Sequence, residues 1–360
     1  ESRNMIRSLF LSKQALEKGA RRPAGQEKKT LKKIAVIGAG FMGAGVATVS
    51  AQAGLEVVLI DADQEGADRG KQHVADHFAK GVKRGKVTQE DADKKTALVT
   101  ATTDYTLLKD ADLVVEAVFE NSELKHKITK MAEEHLPETA VFGSNASTIP
   151  ITSLAEASSR PENYIGIHFF SPVEKMMLVE LIVGEKTGDA AVSLALDFVG
   201  KIKKTPIVVA DTRGFYANRC VMRYIEQGMY MLTEGVKPAL IENGAKMAGM
   251  PVGPLSLQDE VAIDLGYKVL QQTKKDLGAD FEDTPNAEVI EKMYELGRYG
   301  RKNKKGFYVY GDEGKRLWDE LDQFAPNGTL ADEQPSVAEI KDRILSAQAI
   351  EAAGTMEENI

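Results

Sequence analysis

The chain has 360 residues, of which 43% are hydrophobic and 28% charged, and its formal net charge is −8. That length suggests about two domains with ample chain for a core, and the acidic balance argues against nucleic acid or an anionic membrane as the main partner. The single cysteine, Cys220, excludes an intramolecular disulfide framework or a cysteine metal cluster and fits a reducing compartment, and no apolar run reaches the 18 residues of a membrane span.

Glu1 is not an initiator residue, and Met5 to Lys18 reads as an amphipathic helix with Met5, Leu9 and Leu16 along one side. Gly19 to Lys29 is a polar linker. The basic cluster Lys28, Lys29, Lys32 and Lys33 reads as a solvated approach to the first strand, with a targeting signal as the alternative. Ile34 to Gly43 is an apolar, β-branched run ending in glycines spaced G-x-G-x-x-G, followed by a helix through Val46, Val49 and Ala53. Gly38 suits a tight turn, Gly40 a close approach of backbone to a pyrophosphate, and Gly43 close packing of helix on sheet. A second strand, Glu56 to Asp61, ends in an acid at the spacing of a ribose-binding carboxylate, and no nearby arginine offers itself to a 2′-phosphate. NAD rather than NADP is therefore expected.

Asp63 to Lys95 reads as an inserted pair of helices turning at Gly85 to Gln89, with Thr88 as the N-cap of the second. Its many charges suggest little core-facing surface and a projecting hairpin. Its basic residues Lys71, Lys80, Lys83, Arg84 and Lys86 suggest either a solvated surface or an arm for an anionic substrate tail. Strands follow at Leu98 to Thr102, Leu113 to Val118, Ala140 to Ser144, Tyr164 to Phe170, Leu178 to Val183 and Pro206 to Val209, with helices such as Ser122 to His135 and Ala190 to Ile202 between some of them. This alternation predicts an α/β, doubly wound, mostly parallel sheet. Beyond Asp211 to Gly214 the pattern turns helical. Arg343 to Ile360 looks like a helix with Ile344, Ala347, Ile350 and Ala353 on one stripe, and the chain reads as a piece of a longer polypeptide.

His168 sits near the end of a strand, where ligands bind in open α/β sheets, and its side-chain type suits a proton acceptor near neutral pH. Glu180 lies in a strand apolar on both faces, so its carboxylate needs a partner; His168 is the natural one, with a lysine at a strand edge as the alternative. Asn218 falls on the apolar helical stripe of Phe215, Met222, Ile225, Met229 and Leu232, and an amide buried there caps a loop or holds a substrate oxygen. Ser147 precedes Ile149-Pro150, which allows a helix-capping role as well as a catalytic one.

Ordered motifs between about Lys32 and Tyr310 resemble the L-3-hydroxyacyl-CoA dehydrogenases. They are Gly38 to Gly43, Val114 to Asn121, Ser144 to Ser147, His168 to Val173, Gly214 to Arg219 and Gly306 to Tyr308. Glu174-Lys175-Met176 and Gly300 to Lys305 look most like the dehydrogenase part of the multifunctional fatty-acid β-oxidation enzymes, the alpha-subunit type. The resemblance implies a Rossmann-type domain followed by an all-α C-terminal domain. It makes His168 the general base and Glu180 its orienting partner, with Ser147 and Asn218 on substrate oxygens. It places Gly38, Gly40, Phe41, Met42, Gly43 and Asp61 on NAD, with Ala117, Val118, Glu120, Lys125, Ser147 and Ser171 toward the nicotinamide half. The hairpin becomes an arm for coenzyme A. Ser171, Met177, Leu255 and Ala262 depart from the residues usual in the family; at 262 the usual residue is glycine.

The implied division is 1–30 linker helix and linker, 31–211 NAD-binding domain with the insertion 63–95, 212–311 helical dehydrogenase domain, and 312–360 a linker and the start of a second helical repeat. The expected reaction is NAD-dependent oxidation of an (S)-3-hydroxyacyl-CoA. A free hydroxy-acid dehydrogenase and an inactive dinucleotide-binding module are the alternatives. The resemblance also implies an oligomer, a hydratase domain in the parent chain and a thiolase partner. A bacterial cytoplasmic location is expected, with the mitochondrial matrix or peroxisome as alternatives, and no metal is called for.

Overall fold

Ile34, Ala35, Val36 and Ile37 are all buried, as a strand covered on both faces requires. They belong to β1 (Lys33–Ile37), an inner strand of an eight-stranded sheet. The structure is a computed structural model describing residues 2–360, so Glu1 lies outside the described residues. The chain divides into two compact units at Phe215/Tyr216.

In the first unit the other strands are β2 (Glu56–Ile60), β3 (Val99–Thr102), β4 (Leu113–Glu116), β5 (Val141–Ser144), β6 (Tyr164–Phe169), β7 (Leu178–Val183) and β8 (Thr205–Ala210), in spatial order β3-β2-β1-β4-β5-β6-β7-β8. Strands β1 to β6 pair in parallel, β7 runs antiparallel to β6, and β8 is parallel to β7. The reversal has a simple cause. Residues 170–177 are too few for a helical crossover, so the chain turns straight back.

Among the helices, α1 spans residues 2–17, with a π-helical stretch at Ile6–Ser12. Its Met5, Ile6, Leu9 and Phe10 are exposed. The segment after it is fastened to the body, where Arg22 bonds Ser193 and Asp197. Helix α2 (Phe41–Gln52) buries every residue from Gly43 to Ala51, its small side chains letting it lie close on the sheet.

The inserted hairpin consists of α3 (Gln64–Lys83) and α4 (Gln89–Ala97), capped by Asp63 accepting from Gly66 N and Thr88 accepting from Asp91 N. The expectation of little core-facing surface is corrected here. Val74, Phe78 and Ala92 join the main core, so the hairpin is seated along one face and exposes Lys80, Lys83, Arg84 and Lys86 around its turn. Between later strands lie α5 (Ser122–Glu133), the short α6 (Ile151–Ala155) and α7 (Asp189–Lys201).

The second unit contains α8 (Ala217–Thr233), α9 (Pro238–Met247), α10 (Pro254–Val261), α11 (Ile263–Leu277), α12 (Pro285–Glu295) and α13 (Val337–Glu357). To these the structure adds an antiparallel hairpin, β9 (Tyr308–Gly311) with β10 (Gly314–Leu317). Helix α13 buries Ile340, Ile344 and Thr355, while Ile350 is 71% exposed and Ala353 faces solvent. The stripe expected through Ile350 and Ala353 is therefore rotated. Glu351 is instead drawn inward by Arg219 and Arg223 of α8, at 2.6 and 3.0 Å. Ala262, between α10 and α11, has φ +85°, a conformation that a side chain opposes. That explains why glycine is usual there.

Candidate active site

The glycine loop joins β1 to α2, and its glycines separate by cause. Gly38 has φ +97°, and a Cβ there would sit 2.7 Å from Ala117 O. A Cβ on Gly43 would be driven into Gly38 O. Gly40 has an ordinary φ of −65° at the N-cap of α2, and a Cβ added to it would meet no described atom within 4 Å. Nothing among the described residues demands glycine at 40; the space above it, at a helix N-terminus, suits a pyrophosphate. Asp61 closes the other side. Its Oδ2 accepts from Ala39 N at 2.7 Å and its Oδ1 from Ala62 N at 2.6 Å. Each oxygen keeps a lone pair for a ribose hydroxyl, and the negative charge repels a 2′-phosphate. These residues fit NAD. Phe41 is exposed and Met42 half-buried on the first turn of α2.

A second cluster stands at the ends of β4 and β5. Glu116, fully buried, accepts from Lys125 Nζ at 2.8 and 3.1 Å, from Val118 N at 2.8 Å and from Ser144 Oγ at 2.7 Å. Lys125 is itself 1% exposed and reaches Glu120 at 3.6 Å. Glu120 in turn accepts from Ser147 N at 2.7 Å and Thr148 N at 2.8 Å. Burial alone would raise the Glu120 carboxyl, but Lys125 and the two backbone N–H groups outweigh it and hold it below the usual range. The network therefore brings Val118, Glu120, Lys125 and Ser147 together, with Lys125 as its buried centre. The cap of α6 comes from elsewhere in the chain. Asp211, at the end of β8, accepts from Ile151 N and Thr152 N at 2.9 and 2.7 Å.

The third element lies one strand further along. His168 and Glu180 are direct partners in the antiparallel β6–β7 register, and Nδ1 lies 2.7 Å from Oε2. Directly opposite residues of such a pair place their side chains on one face. Glu180 is fully buried and His168 is 5% exposed, with the rings of Phe170 and Phe215 at 4.5 and 5.8 Å. With the carboxylate accepting from Nδ1–H, the tautomer leaves Nε2 as an acceptor of protons. Asn145 fixes the strand end, its Oδ1 accepting from Phe169 N at 2.8 Å.

Ser171 is exposed on the loop after β6. Asn218 belongs to the first turn of α8 in the other unit and is half-buried rather than buried. The stripe assigned to it is also altered, since Phe215 precedes the helix and Met222 is 37% exposed. Sequence reasoning missed Glu116, Asn145 and Asp211. Glu116 alone carried a signal, an acid closing an apolar strand with a lysine nine residues on.

A Rossmann-type sheet, a glycine loop with a ribose-type acid and a histidine–carboxylate pair across β6 and β7 define an NAD-dependent oxidoreductase. Comparison with known proteins sharpens that class. Residues 33–212 match the 3-hydroxyacyl-CoA dehydrogenase NAD binding domain, and residues 214–310 match the C-terminal domain of the same enzymes. The chain belongs to the 3-hydroxyacyl-CoA dehydrogenase family. A fatty acid oxidation complex subunit alpha from Shewanella halifaxensis is 40% identical over 359 residues, 99% of this chain and 50% of that one. The chain thus spans about half the length of the curated relatives it matches. The crystal structure of (S)-3-hydroxybutyryl-CoA dehydrogenase from Ralstonia eutropha superposes with a TM-score of 0.72 at 34% identity, covering 79% of this chain and all of that one. The dehydrogenase part of a multifunctional enzyme from C. elegans gives 0.69 at 27% identity, covering 97% and 82%.

Proposed function

We propose that this chain oxidises the 3-hydroxyl of an (S)-3-hydroxyacyl-CoA to the ketone, with His168 as general base and Glu180 as its orienting partner. The observation that carries the reading is the buried cross-strand bond between His168 Nδ1 and Glu180 Oε2 at 2.7 Å. It holds Nε2 in the form that takes the hydroxyl proton and places a negative charge against the imidazolium that forms. NAD, when bound, accepts the hydride from C3. Gly38, Gly40, Gly43 and Asp61 hold its phosphates and ribose, and Ala117, Val118, Glu120, Lys125, Ser147 and Ser171 shape the nicotinamide side. Ser147, with its backbone fixed by Glu120, and Asn218 are each proposed to hydrogen-bond a substrate oxygen. The hairpin, through Lys80, Lys83, Arg84 and Lys86, takes the anionic coenzyme A portion.

The division of the chain at 211/212 into a cofactor domain and a helical domain, with 312–360 opening a second helical repeat, belongs to the same reading. The relatives' name and the half-length coverage support a longer parent polypeptide that acts in fatty acid oxidation as a subunit of a complex; a hydratase domain, a thiolase partner and a bacterial cytoplasm are proposed on the family resemblance alone. No helix among the described residues is long and apolar enough to cross a membrane.

His168→Gln tests the assignment. The variant is expected to lose about 10²–10⁴-fold in the NADH-dependent reduction of acetoacetyl-CoA, the usual worth of a general base. Turnover within tenfold of the parent would sink it.

A further inference from the structure

Residues 170–177 join the strands bearing His168 and Glu180, so whatever fixes this loop fixes the catalytic pair. Two groups hold it. From one side the buried ammonium of Lys204 donates to Val173 O at 2.6 Å and to Met176 O. From the other, His73 of the hairpin helix α3 meets Glu174, with Nε2 2.7 Å from Oε1. Burial alone would raise the Glu174 carboxyl, but its bond with His73, a backbone hydrogen bond and the nearby His73 and His77 outweigh it and leave it below the usual range. An ionised carboxylate only accepts, so His73 Nε2 is the donor. The imidazole of His73 also stands edge-on to Phe41, 5.9 Å between centroids, on the first turn of the dinucleotide helix. His73 thus touches the cofactor loop and the catalytic loop while riding on the hairpin. Val173 presses against Gly45, where a Cβ would lie 2.8 Å from the valine Cβ, so the loop has no room to settle deeper.

We propose that His73 and Glu174 form a positioning pair that ties the hairpin to the loop behind His168, setting the hairpin's place for the coenzyme A portion of the substrate. This rests on the reading of the hairpin as the coenzyme A arm. Neither residue touches the reacting atoms.

The test compares the parent chain with His73→Ala, Glu174→Ala, the double variant and His73→Gln. Calorimetric binding of acetoacetyl-CoA, steady-state constants with NADH and amide hydrogen exchange along residues 73–88 are measured on each. Both alanine variants are expected to weaken acetoacetyl-CoA binding and raise its KM about fivefold or more, the scale of one charge-assisted hydrogen bond. The KM for NADH should change less than that for acetoacetyl-CoA. The double variant should be no worse than the worse single, as for two groups acting as a unit. His73→Gln, whose amide still donates, should recover most of the loss, and hairpin exchange should quicken in the alanine variants alone. Unchanged acetoacetyl-CoA affinity, additive losses, or hairpin exchange equal to the parent's would each overturn the pair. Failure of the parent itself to bind acetoacetyl-CoA would instead overturn the coenzyme A reading, and the positioning role with it.

Discussion

Both units of the molecule bury carboxylates, and they use them differently. In the first unit Glu180 faces His168, an imidazole that can gain a proton, and the bond joins two side chains across a strand pair. In the helical unit Asp259 accepts from Phe307 N at 2.8 Å, Tyr308 N at 2.9 Å and Tyr310 Oη at 3.0 Å. Glu242 there accepts from Leu255 N at 2.8 Å and Tyr308 Oη at 2.7 Å. Those partners are backbone amides and phenols with nothing to exchange near neutral pH. Burial of an acid therefore does not mark chemistry; the partner does. The Gly306-Phe307-Tyr308 motif gains a structural meaning from this. Gly306 leaves room for the Asp259 carboxylate, and the two residues after it donate to it.

The contrast can be broken at either end. After His168→Gln, the largest effect on turnover should come from Glu180→Gln. The neutral amide keeps an acceptor for Nδ1–H but loses the charge against the imidazolium, so kcat should fall roughly ten- to a hundredfold with little change in melting temperature. A kcat within twofold of the parent would mean that the carboxylate is structural like Asp259. In the helical unit Gly306→Ala should do the reverse. Its Cβ would displace Asp259, costing about 1–3 kcal/mol in urea unfolding, and equal stability would remove the carboxylate clip from the account.

A pH series sharpens the comparison further. Burial pushes the Asp259 carboxyl up to about 6, against hydrogen bonds that pull it down. A folded-state pKa above the unfolded one means that the fold binds this proton more tightly. The contribution of Asp259 is thus fully present below about pH 4 and is lost as pH rises through about 6. Thermal melts of the parent should show that decline, and Asp259→Asn should flatten it while lowering stability throughout. An identical slope in the variant would assign it elsewhere. The smallest effect is expected at Ala262→Gly, which relieves the positive φ and should stabilise the chain by about 1 kcal/mol. A loss of stability there would show that the methyl group packs usefully.

What the sequence disclosed follows the range of each interaction. Strand positions were legible because a two-sided sheet imposes continuous apolar runs, and the His168–Glu180 pair because an acid inside such a run demands a partner. The hairpin caps Asp63 and Thr88 act within three residues, and Thr88 was visible for that reason. Asp211 capping α6 spans about sixty residues and His73 meeting Glu174 about a hundred, and neither residue type is unusual for a surface. The core face of the hairpin was hidden by its charges. Eight basic and seven acidic residues between 63 and 95 mask the few apolar positions, Val74 and Phe78 above all, that seat it. The terminal helix was misphased because Ile350 looks like core, whereas the arginines of α8 select Glu351.

Lys125 has a consequence of another kind. Acyl thioesters are acylating agents, and an enzyme that handles them exposes its own amines to an acyl donor at high local concentration. The ammonium of Lys125 is gripped by both oxygens of Glu116 and walled off from solvent. Its nitrogen is not available to attack a thioester carbonyl. The protein thereby keeps a lysine at the ends of β4 and β5 without placing a free nucleophile there, the arrangement that an enzyme of acyl thioesters needs.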